Sequence, residues 1–450
     1  MTDYDSSAPY PAPLGAPAAP HAHPGPSRTA PAAPGHEPAP PPHRPPSSPP
    51  SASPLSASPP PSSPPPPPPH PATRVADLPA PPRGAAAEGA APGRPPQRIW
   101  CEHRGRLLAL SVWTERVPDR GEDAEPFVAH HVESGHGLLA VFDGSGGAGA
   151  APVWQAADGT QRTGAWVGAR VARLATDCWF REVATGGEPA APNSLREYLQ
   201  YFLSAAPQRR SKIGGTMRRQ LPTTLAGVHY RVAPTEGDAR LELQPLWAGD
   251  SRAYVLGPEN GLQVLTRDHT RESDALELLR SDPPMTNLVC ADRDFTIDGR
   301  RLTFPLPCVL VAATDGFFGY VHTPADFEWL LLHTLRHAGN AGEWADLIRR
   351  EVQDRTADDA SLALVALGHH GFEELKARFA TRLEEVTDRY VRSRPRGLDR
   401  RSADPGPGLP APAEDPATLP ARVRAWQDAT WHAYRAGYET HLPPAPEERA

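Results

Sequence analysis

The sequence predicts a mixed α+β domain with a non-folding tail before it and helices after it. Of the 59 prolines in the 450-residue chain, 34 fall in residues 1–97. From about Arg98 to Gly368, apolar runs of strand length alternate with segments of helical periodicity. We therefore expect a disordered tail over 1–97, a folded domain over 98–370, and a helical extension with a Pro-rich linker over 371–450.

The tail is rich in Pro, Ala and Ser and includes the hexaproline run Pro64–Pro69. Such a segment buries too little apolar surface to offset its ordering entropy, and its prolines favour the polyproline II conformation. We expect it to be disordered. A ligand for a Pro-binding protein module is the possible function that this composition leaves open.

The strands of the domain are predicted from apolar or β-branched runs that end at Gly, Asp or Pro. They are expected over Leu107–Trp113, Gly137–Phe142, Leu225–Val232, Leu241–Ala248, Ala253–Leu256, Cys308–Ala313 and Ser361–Leu367. A buried helix is expected over Ala165–Phe180. The next helix is expected to start at a capping box formed by Ser194 and Glu197, because an apolar stripe of period 3.6 follows it.

Helices dominate the C-terminal half of the sequence. Thr323 followed by Pro324 is typical of a helix start, with Thr as the cap and Pro at the first position. Further helices are expected around Trp344–Val352, over Gly371–Arg392 and over Ala421–Leu442, the last after a linker at residues 403–420. We expect the last helix to pack on the domain, and the alternative is a helix that docks a partner.

Charge and cysteine content exclude several classes of protein. The formal net charge of −7 gives no indication of nucleic-acid binding. The four cysteines contain no CxxC pair, so neither a disulfide framework nor a zinc finger is expected. The start of the sequence, MTDYDSS, does not look like a secretory signal, and no apolar run is long enough to span a bilayer. These observations predict a cytoplasmic protein that does not bind membranes.

Three acidic positions lie where apolar strands end or begin: Asp143, Asp315 and Asp358. The first two are each followed by glycine, which allows a backbone carbonyl to approach a ligand closely. Carboxylates that converge without Cys or an ordered His pair form an oxygen-only site, which favours Mg²⁺ or Mn²⁺ over zinc. The alternative is that each Asp-Gly pair is only a turn.

Seven segments in a fixed order resemble the type 2C, or PPM-type, metal-dependent serine/threonine protein phosphatases, as in a bacterial member of that family. They correspond in order to the family motifs (N/M)ED, DGHGG, GTT, GDSRA, LTxDH, SDGLW and the terminal D(N/D)x(S/T). The matching segments are Glu122–Ala124, Val141–Gly147, Pro222–Leu225, Ala248–Tyr254, Leu265–His269, Ala313–Phe318 and Asp358–Ser361. The resemblance covers roughly residues 100–368.

The resemblance implies a sandwich of two antiparallel sheets flanked by helices (α-β-β-α), with two Mn²⁺ or Mg²⁺ ions at one end. Carried over by motif, Asp143 corresponds to the ligand that bridges the ions and Gly144 to a backbone-carbonyl ligand. Asp315 and Asp358 correspond to further ligands. Glu122 and Asp123 would lie just outside the ligands, and Asp250 would help to bind a weak third ion or would simply belong to a turn.

The resemblance also implies the reaction. A hydroxide held between the two ions attacks a phosphoserine or phosphothreonine of a protein substrate, without a covalent phosphoenzyme. None of the four cysteines belongs to a Cys-x5-Arg loop, which agrees with that mechanism. Thr223 and Thr224 are expected to be structural residues at the start of a strand, and Arg271–Thr296 corresponds to a substrate-contacting flap.

Three positions depart from the family pattern. Ser145 replaces a His that can act as general acid, a contribution of ~10²–10⁴-fold in rate. Gly319 replaces an acidic residue, and Pro118 stands where a phosphate-binding Arg is expected, with Arg116 and Arg120 nearby. The alternative to an active phosphatase is therefore a weak or inactive pseudophosphatase that serves as a binding or regulatory module.

Overall fold

The computed structural model describes residues 99–207, 218–232, 240–395, 398 and 418–445. The tail predicted over 1–97 and most of the linker predicted over 403–420 lie outside the described residues. All elements and contacts below belong to the described part of the chain.

The described strands form two antiparallel sheets and one small hairpin. They are β1 (Ile99–Arg104), β2 (Leu107–Thr114), β3 (Phe127–His131), β4 (His136–Val141), β5 (Pro152–Gln155), β6 (Gln161–Thr163), β7 (Leu225–Val232), β8 (Arg240–Ala248), β9 (Arg252–Gly257), β10 (Gly261–Val264), β11 (Asp298–Gly299), β12 (Leu302–Pro305), β13 (Cys308–Ala313) and β14 (Ala360–Leu367). The first sheet has the order β1-β2-β14-β13-β9-β10, and the second has the order β11-β8-β7-β4-β3, with β12 also paired to β8. Strands β5 and β6 pair with each other.

The helices lie between the strands and at the C-terminal end of the described chain. They are α1 (Gly146–Gly149), α2 (Gly164–Thr185), α3 (Pro192–Ala205), α4 (Ala275–Arg280), α5 (Asp315–Phe318), α6 (Pro324–His337), α7 (Ala341–Gln353), α8 (Phe372–Val386) and α9 (Leu419–Tyr438). A π-helical turn, Thr387–Val391, continues α8.

Three apolar layers hold these elements together. The inner layer lies between the two sheets and includes Leu139 of β4 and Leu310 of β13. A second layer joins the outer face of the second sheet to α2 and α3, and a third joins the outer face of the first sheet to α6, α7, α8 and α9. The α-β-β-α sandwich that the family resemblance implies is thus confirmed.

Strand β13 shows why the buried central strands could be located from the sequence, whereas shorter strands such as β5, β6 and β11 were not predicted. Its observed bounds, Cys308–Ala313, equal the predicted ones, and all six residues are buried. It pairs with β14 on one side and with β9 on the other, and apolar layers cover both of its faces. A central strand covered on both faces must be apolar at every position, so it is easily recognised.

The predicted capping box at Ser194 is wrong. Helix α3 begins two residues earlier, with Pro192 at its first turn, so Ser194 lies inside the helix. The Ser194 hydroxyl donates to the carbonyl of Pro189 (2.8 Å) and accepts from the indole Nε1 of Trp179 (2.9 Å). A tertiary contact with α2 therefore uses the side chain that the local pattern assigned to the cap.

The predicted start of α6 is confirmed. Thr323 is the cap residue, Pro324 follows it, and the Thr323 backbone N–H donates to the carboxylate of Asp326 at 3.0 Å. The side chains of the predicted apolar stripe are buried: Phe327, Leu330, Leu331 and Leu335.

The helix predicted over Ala421–Leu442 forms as α9, and it packs on the domain. Its buried side chains are Trp426, Trp431, Tyr434 and Tyr438. Three of them, Trp431, Tyr434 and Tyr438, belong to the apolar layer on the outer face of the first sheet. Of the two alternatives stated for this helix, the structure therefore shows the packed one.

None of the helices in the described ranges is both long enough and apolar enough to cross a membrane. The four cysteines are free thiols, two of them buried. Complete burial raises the pKa of the Cys308 thiol to about 12, so it remains protonated and unreactive at neutral pH.

Candidate metal centre

The three strand-end carboxylates come from both sheets and meet at one end of the sandwich. Asp143 follows β4 after a single residue, Asp315 is the first residue of α5 just after β13, and Asp358 precedes β14 by two residues. The end of β13 is paired with the beginning of β14, at Ala313 and Leu362, so Asp315 and Asp358 share one edge. The charge of Asp315 raises the pKa of Asp143, so the two carboxyl groups, which come from different sheets, lie within electrostatic reach of each other.

Mutual repulsion and burial act strongly on these carboxyl groups. Burial raises the pKa of Asp143 well above its ordinary range, and the charges of Asp123, Asp315, Asp250 and Asp358 raise it further. Each of these four carboxylates is therefore within electrostatic reach of Asp143. Acidic groups that raise one another's pKa in this way bind a cation favourably, because its charge removes the repulsion.

The carboxyl groups of Asp250 and Asp315 also have strongly raised pKa values. Burial raises the pKa of Asp250 to about 8, helped by the charges of Asp315 and Asp268. Burial also raises the pKa of Asp315 to about 6, together with the charge of Asp358. The Oδ1 atom of Asp250 is buried without a hydrogen-bond partner among the described residues, which is uncommon for a carboxylate oxygen.

Thr223 and Thr224 hold the backbone at Asp143 and Gly144 in place. The Asp143 carbonyl accepts hydrogen bonds from the Thr224 N–H (2.8 Å) and the Thr223 hydroxyl (2.7 Å). A Cβ on Gly144 would lie only 2.6 Å from the Glu122 carbonyl oxygen and 2.8 Å from that of Ala165. Glycine is therefore required here by close backbone packing, and the threonines have the structural role expected for them.

The side chain of Glu122 is hydrogen-bonded to the residue that caps helix α2. Thr163, the cap residue of α2, accepts from the Trp166 N–H and donates its hydroxyl to Glu122 Oε1 at 2.5 Å. Burial raises the pKa of the Glu122 carboxyl, the Thr163 bond lowers it, and the charges of Asp359 and Asp358 raise it. The side chain is thus fixed in orientation at the border of the acidic group.

Asp123 is the most deeply buried acid of the group, with 2% of its surface exposed. Its Oδ2 atom accepts a hydrogen bond from the Thr314 hydroxyl at 3.0 Å, one residue before Asp315. Burial raises its pKa well above the ordinary range, and the charge of Asp359 adds to this effect. Asp123 lies next to Asp315 and behind it, as a residue that supports ligands does in a metal site.

Asp359 and Arg170 are structural residues of this region that were not predicted from the sequence. The Asp359 carboxylate accepts from the backbone N–H groups of Arg116 (2.8 Å) and Glu122 (2.6 Å). The Arg170 guanidinium donates to the carbonyls of Gly121 and Glu122 and stacks on Trp166, with its carbon 3.9 Å from the ring centre. Asp358 and Asp359 are adjacent, so the sequence alone could not say which one faces the site, and no motif marks Arg170.

A cleft of about 390 Å³ opens over part of the acidic group. Its lining includes Asp268 and Asp282, which were not among the predicted site residues, although Asp268 lies in one of the motifs. The lining residues comprise Asp250, Arg252, Asp268, Thr270, Leu278, Leu279, Arg280, Ser281, Asp282, Pro283, Asp315, Phe318, Gly319, Tyr320 and Asp358. Arg252 and Asp268 neutralise each other in a buried two-pronged pair with contacts of 2.9 and 2.7 Å.

The flap predicted at Arg271–Thr296 lies beside this cleft and contains α4. Gly319 also borders the cleft, and a Cβ there would lie 2.7 Å from the Asp315 carbonyl oxygen. An acidic side chain at position 319 would therefore require the α5 turn to shift. The exposed Arg116 lies near Asp358, because its charge lowers the pKa of that carboxyl against the larger effect of burial.

The donors present fit hard divalent cations in chemical type. They are oxygen atoms only, they repel one another, and one buried carboxylate oxygen lacks a partner. Within the described ranges, however, no group of three or more Asp, Glu, His or Cys side chains is arranged so that it could hold a metal ion. The assignment of Asp143, Gly144, Asp315 and Asp358 as ligands thus stays a prediction.

No protein-family model and no curated protein sequence matches the chain. Three solved structures that it resembles are a bacterial serine phosphatase (18% identity, 59% of this chain and 98% of that one, TM-score 0.42), PppA, described as a regulatory component of the T6SS in Pseudomonas aeruginosa (21%, 58% and 98%, 0.39), and the catalytic domain of the serine/threonine phosphatase PstP with two manganese ions (16%, 58% and 99%, 0.38). The similarity to these three structures extends over 58–59% of this chain, at identities of 16–21%.

Proposed function

We propose that the protein is a metal-dependent phosphatase that hydrolyses phosphoserine or phosphothreonine in other proteins. One observation carries the proposal: Asp143, Asp315, Asp358 and Asp250 come from separate elements and converge at one end of the sandwich, where they raise one another's pKa. A protein gains no stability from such an arrangement, so its presence favours a functional role.

In this proposal, Asp143, Asp315 and Asp358 hold two Mn²⁺ or Mg²⁺ ions together with the Gly144 carbonyl. When bound, such a pair of ions neutralises the phosphoryl group and activates the attacking water. Glu122, Asp123 and Asp250 lie around these ligands, and their negative charge would increase the affinity of the site for cations.

Other residues around the proposed site keep these groups in position. The backbone of Asp143 is fixed by Thr223 and Thr224, and Thr314 orients Asp123. Asp359 fixes the peptide groups of Arg116 and Glu122, so the Glu122 loop cannot drift away from β14. Rigid placement of this kind is worth several orders of magnitude in rate, because the reacting groups need no reorganisation.

Ser145 determines how the leaving alkoxide obtains its proton. A serine hydroxyl does not release a proton near neutral pH, so we expect solvent water to protonate the leaving group. The chemical step should therefore be slower than in a site with a well-placed acid, by up to ~10²–10⁴-fold. Activated aryl phosphates, whose leaving groups need less help, should be hydrolysed faster than phosphoserine peptides.

The test measures hydrolysis of an aryl phosphate and of a phosphoserine peptide, with Mn²⁺, with Mg²⁺ and with EDTA. We expect activity that requires a divalent ion and falls at least ~10²-fold in Asp315→Asn. Asp388→Asn is the matched control, because Asp388 is an exposed acid of the π-helical turn, and its ion-pair partner within the described part of the chain is Arg392.

Equal rates with Mn²⁺ and with EDTA, or equal rates in wild type and Asp315→Asn, would contradict the proposal. Calorimetry with MnCl₂ distinguishes an active phosphatase from the alternative, a pseudophosphatase. Cation binding that depends on Asp143 without any hydrolysis would indicate a binding or regulatory module in place of an enzyme.

A further inference from the structure

Helix α4 forms one rim of the acidic cleft. Leu278, Leu279 and Arg280 of α4 line the cleft together with Ser281, opposite Asp315. The helix has only six residues, and an isolated helix of that length is not stable in water. Its position over the cleft must therefore be fixed by contacts with other parts of the domain.

The N-terminal end of α4 is attached to the C-terminal helix α9 through Asp274. The Oδ1 atom of Asp274 caps α4 by accepting from the N–H groups of Leu276 (2.9 Å) and Glu277 (3.2 Å). Its Oδ2 atom accepts from the indole of Trp431 (3.0 Å) and the guanidinium of Arg435 (2.7 Å), both in α9. One carboxylate thus closes the start of α4 and ties it to α9.

The other end of α4 is attached to the same helix through Arg280. The Nη2 atom of Arg280 donates to Asp428 Oδ1 at 2.6 Å, and Nη1 donates to Glu277 at 2.7 Å within α4. The cleft-lining residues at this end are therefore held by α9 as well. We call the two pairs, Asp274–Arg435 and Arg280–Asp428, the C-terminal clamp.

Helix α9 itself is anchored much more firmly than the clamp. Trp431, Tyr434 and Tyr438 are at most 5% exposed, and the Tyr438 ring packs against Tyr254 with 6.2 Å between centroids. The clamp pairs are partly exposed: the Asp428 side chain is 57% exposed and that of Arg435 is 47% exposed. Exposed ion pairs are weak, so the C-terminal turn of α4 can separate from α9 while α9 and the buried Ala275 and Leu276 of α4 remain packed in their shared apolar layer.

We propose that the C-terminal helix positions the rim of the substrate cleft, with Asp274, Arg280, Asp428 and Arg435 as positioning residues. The effect on substrate binding rests on the proposed phosphatase function, whereas the effect on the mobility of α4 does not. Breaking the clamp should release α4 without unfolding the domain, and the cleft would then bind phosphorylated peptides less well.

The first experiment measures amide hydrogen exchange over residues 271–283 in the full chain. Asp428→Asn and Arg435→Met should each accelerate exchange in this segment by about threefold to tenfold, with exchange in β13 and β14 unchanged. Arg424→Met is the matched control, because its side chain is exposed on the same helix and only its backbone carbonyl lies near Arg280. Wild-type exchange in both clamp variants would overturn the proposal.

The second experiment measures hydrolysis of a phosphoserine peptide with Mn²⁺ by the same proteins. We expect KM to rise about threefold to tenfold in the clamp variants, with kcat changed by less than about twofold. Faster exchange with an unchanged KM would overturn the role in substrate positioning. Faster exchange without hydrolysis by any protein, wild type included, would support the clamp and contradict the proposed function.

Discussion

Glu328 and Asp123 are both almost completely buried carboxylates, and they differ in what surrounds them. Glu328 accepts from two nitrogens of Arg382, at 2.6 and 3.0 Å, and from the hydroxyl of Tyr434 at 2.5 Å. Asp123 accepts from the Thr314 hydroxyl, and its charged neighbours include the acids Asp359 and Asp315. The chain neutralises the first carboxylate with Arg382, whereas the second lies among other acids, whose mutual repulsion is relieved when protons or cations bind.

The difference separates acids that stabilise the fold from acids that serve the proposed site. Glu328, Arg382 and Tyr434 connect three helices, α6, α8 and α9. The acids around Asp143 connect strand ends and loops, and their repulsion opposes folding in the absence of cations. Arg382→Met and Asp250→Asn test this distinction, and His369→Leu tests a third buried ionisable group that lacks a strong counter-charge.

The largest loss of stability is expected when Arg382, the positively charged partner of Glu328, is replaced. Arg382→Met leaves Glu328 buried without a positive partner, which should lower the free energy of unfolding by about 3–5 kcal/mol. Denaturant titration of both proteins measures this difference. Arg389→Met is the control, because Arg389 pairs with Glu385 at the surface and its side chain is 63% exposed.

A change close to zero in Arg389→Met and a large loss in Arg382→Met would support the distinction. If both variants lost the same small amount, burial of Glu328 would not matter and the comparison with Asp123 would fail.

A smaller effect is expected from His369, a buried cationisable group that lacks a strong anionic partner. Burial lowers its pKa to about 4, opposed by the charge of Glu374, and neither ring nitrogen has a hydrogen-bond partner among the described residues. In the unfolded chain the pKa is near 6.5, so between about pH 6.5 and pH 4 only the unfolded state takes up the proton. Stability should therefore fall by about 3 kcal/mol across this range as the pH decreases.

His369→Leu should remove that part of the acid sensitivity, whereas His432→Leu, at an exposed position of α9, should not. The carboxyl groups with raised pKa act in the opposite direction, because the folded state binds their protons more tightly. The informative quantity is thus the difference between wild type and His369→Leu at each pH. Parallel curves would show that burial of His369 has no such cost.

The smallest effect, and one of opposite sign, is expected from Asp250. Asp250→Asn removes a carboxyl group whose pKa burial raises to about 8, so folding no longer requires it to take up a proton, and the metal-free protein should become more stable by about 1 kcal/mol at neutral pH. Added Mn²⁺ should raise the Tm of the variant less than that of wild type. Asp388→Asn should change neither quantity, and a loss of stability in metal-free Asp250→Asn would mean that Asp250 is a structural turn residue.

Local patterns in the sequence were sufficient to predict much of the fold. Buried central strands such as β13 are apolar throughout, and Thr323-Pro324 contains its own cap, so neither depends on distant residues for recognition. Asp143, Asp315 and Asp358 each lie within two residues of a strand of the sandwich, as their sequence patterns predicted, and their role as metal ligands stays a prediction.

Contacts between distant segments could not be predicted in the same way. The hydroxyl of Ser194 binds Trp179 instead of capping a helix, and Asp359 binds backbone groups more than two hundred residues away. The attachment of α4 to α9 joins Asp274 to Arg435. In each case the side chain has several chemically suitable partners, and only the three-dimensional arrangement selects one.

The packing of α9 has a consequence for the order in which the protein can fold during synthesis. Tyr254, Phe327 and Tyr390 belong to the layer that also contains Tyr434 and Tyr438 of α9, which the ribosome adds much later. A nascent chain that has emerged only as far as β14 therefore still exposes part of this aromatic surface to solvent. During that interval the exposed surface favours aggregation and chaperone binding, and the interval ends when α9 has emerged and packed.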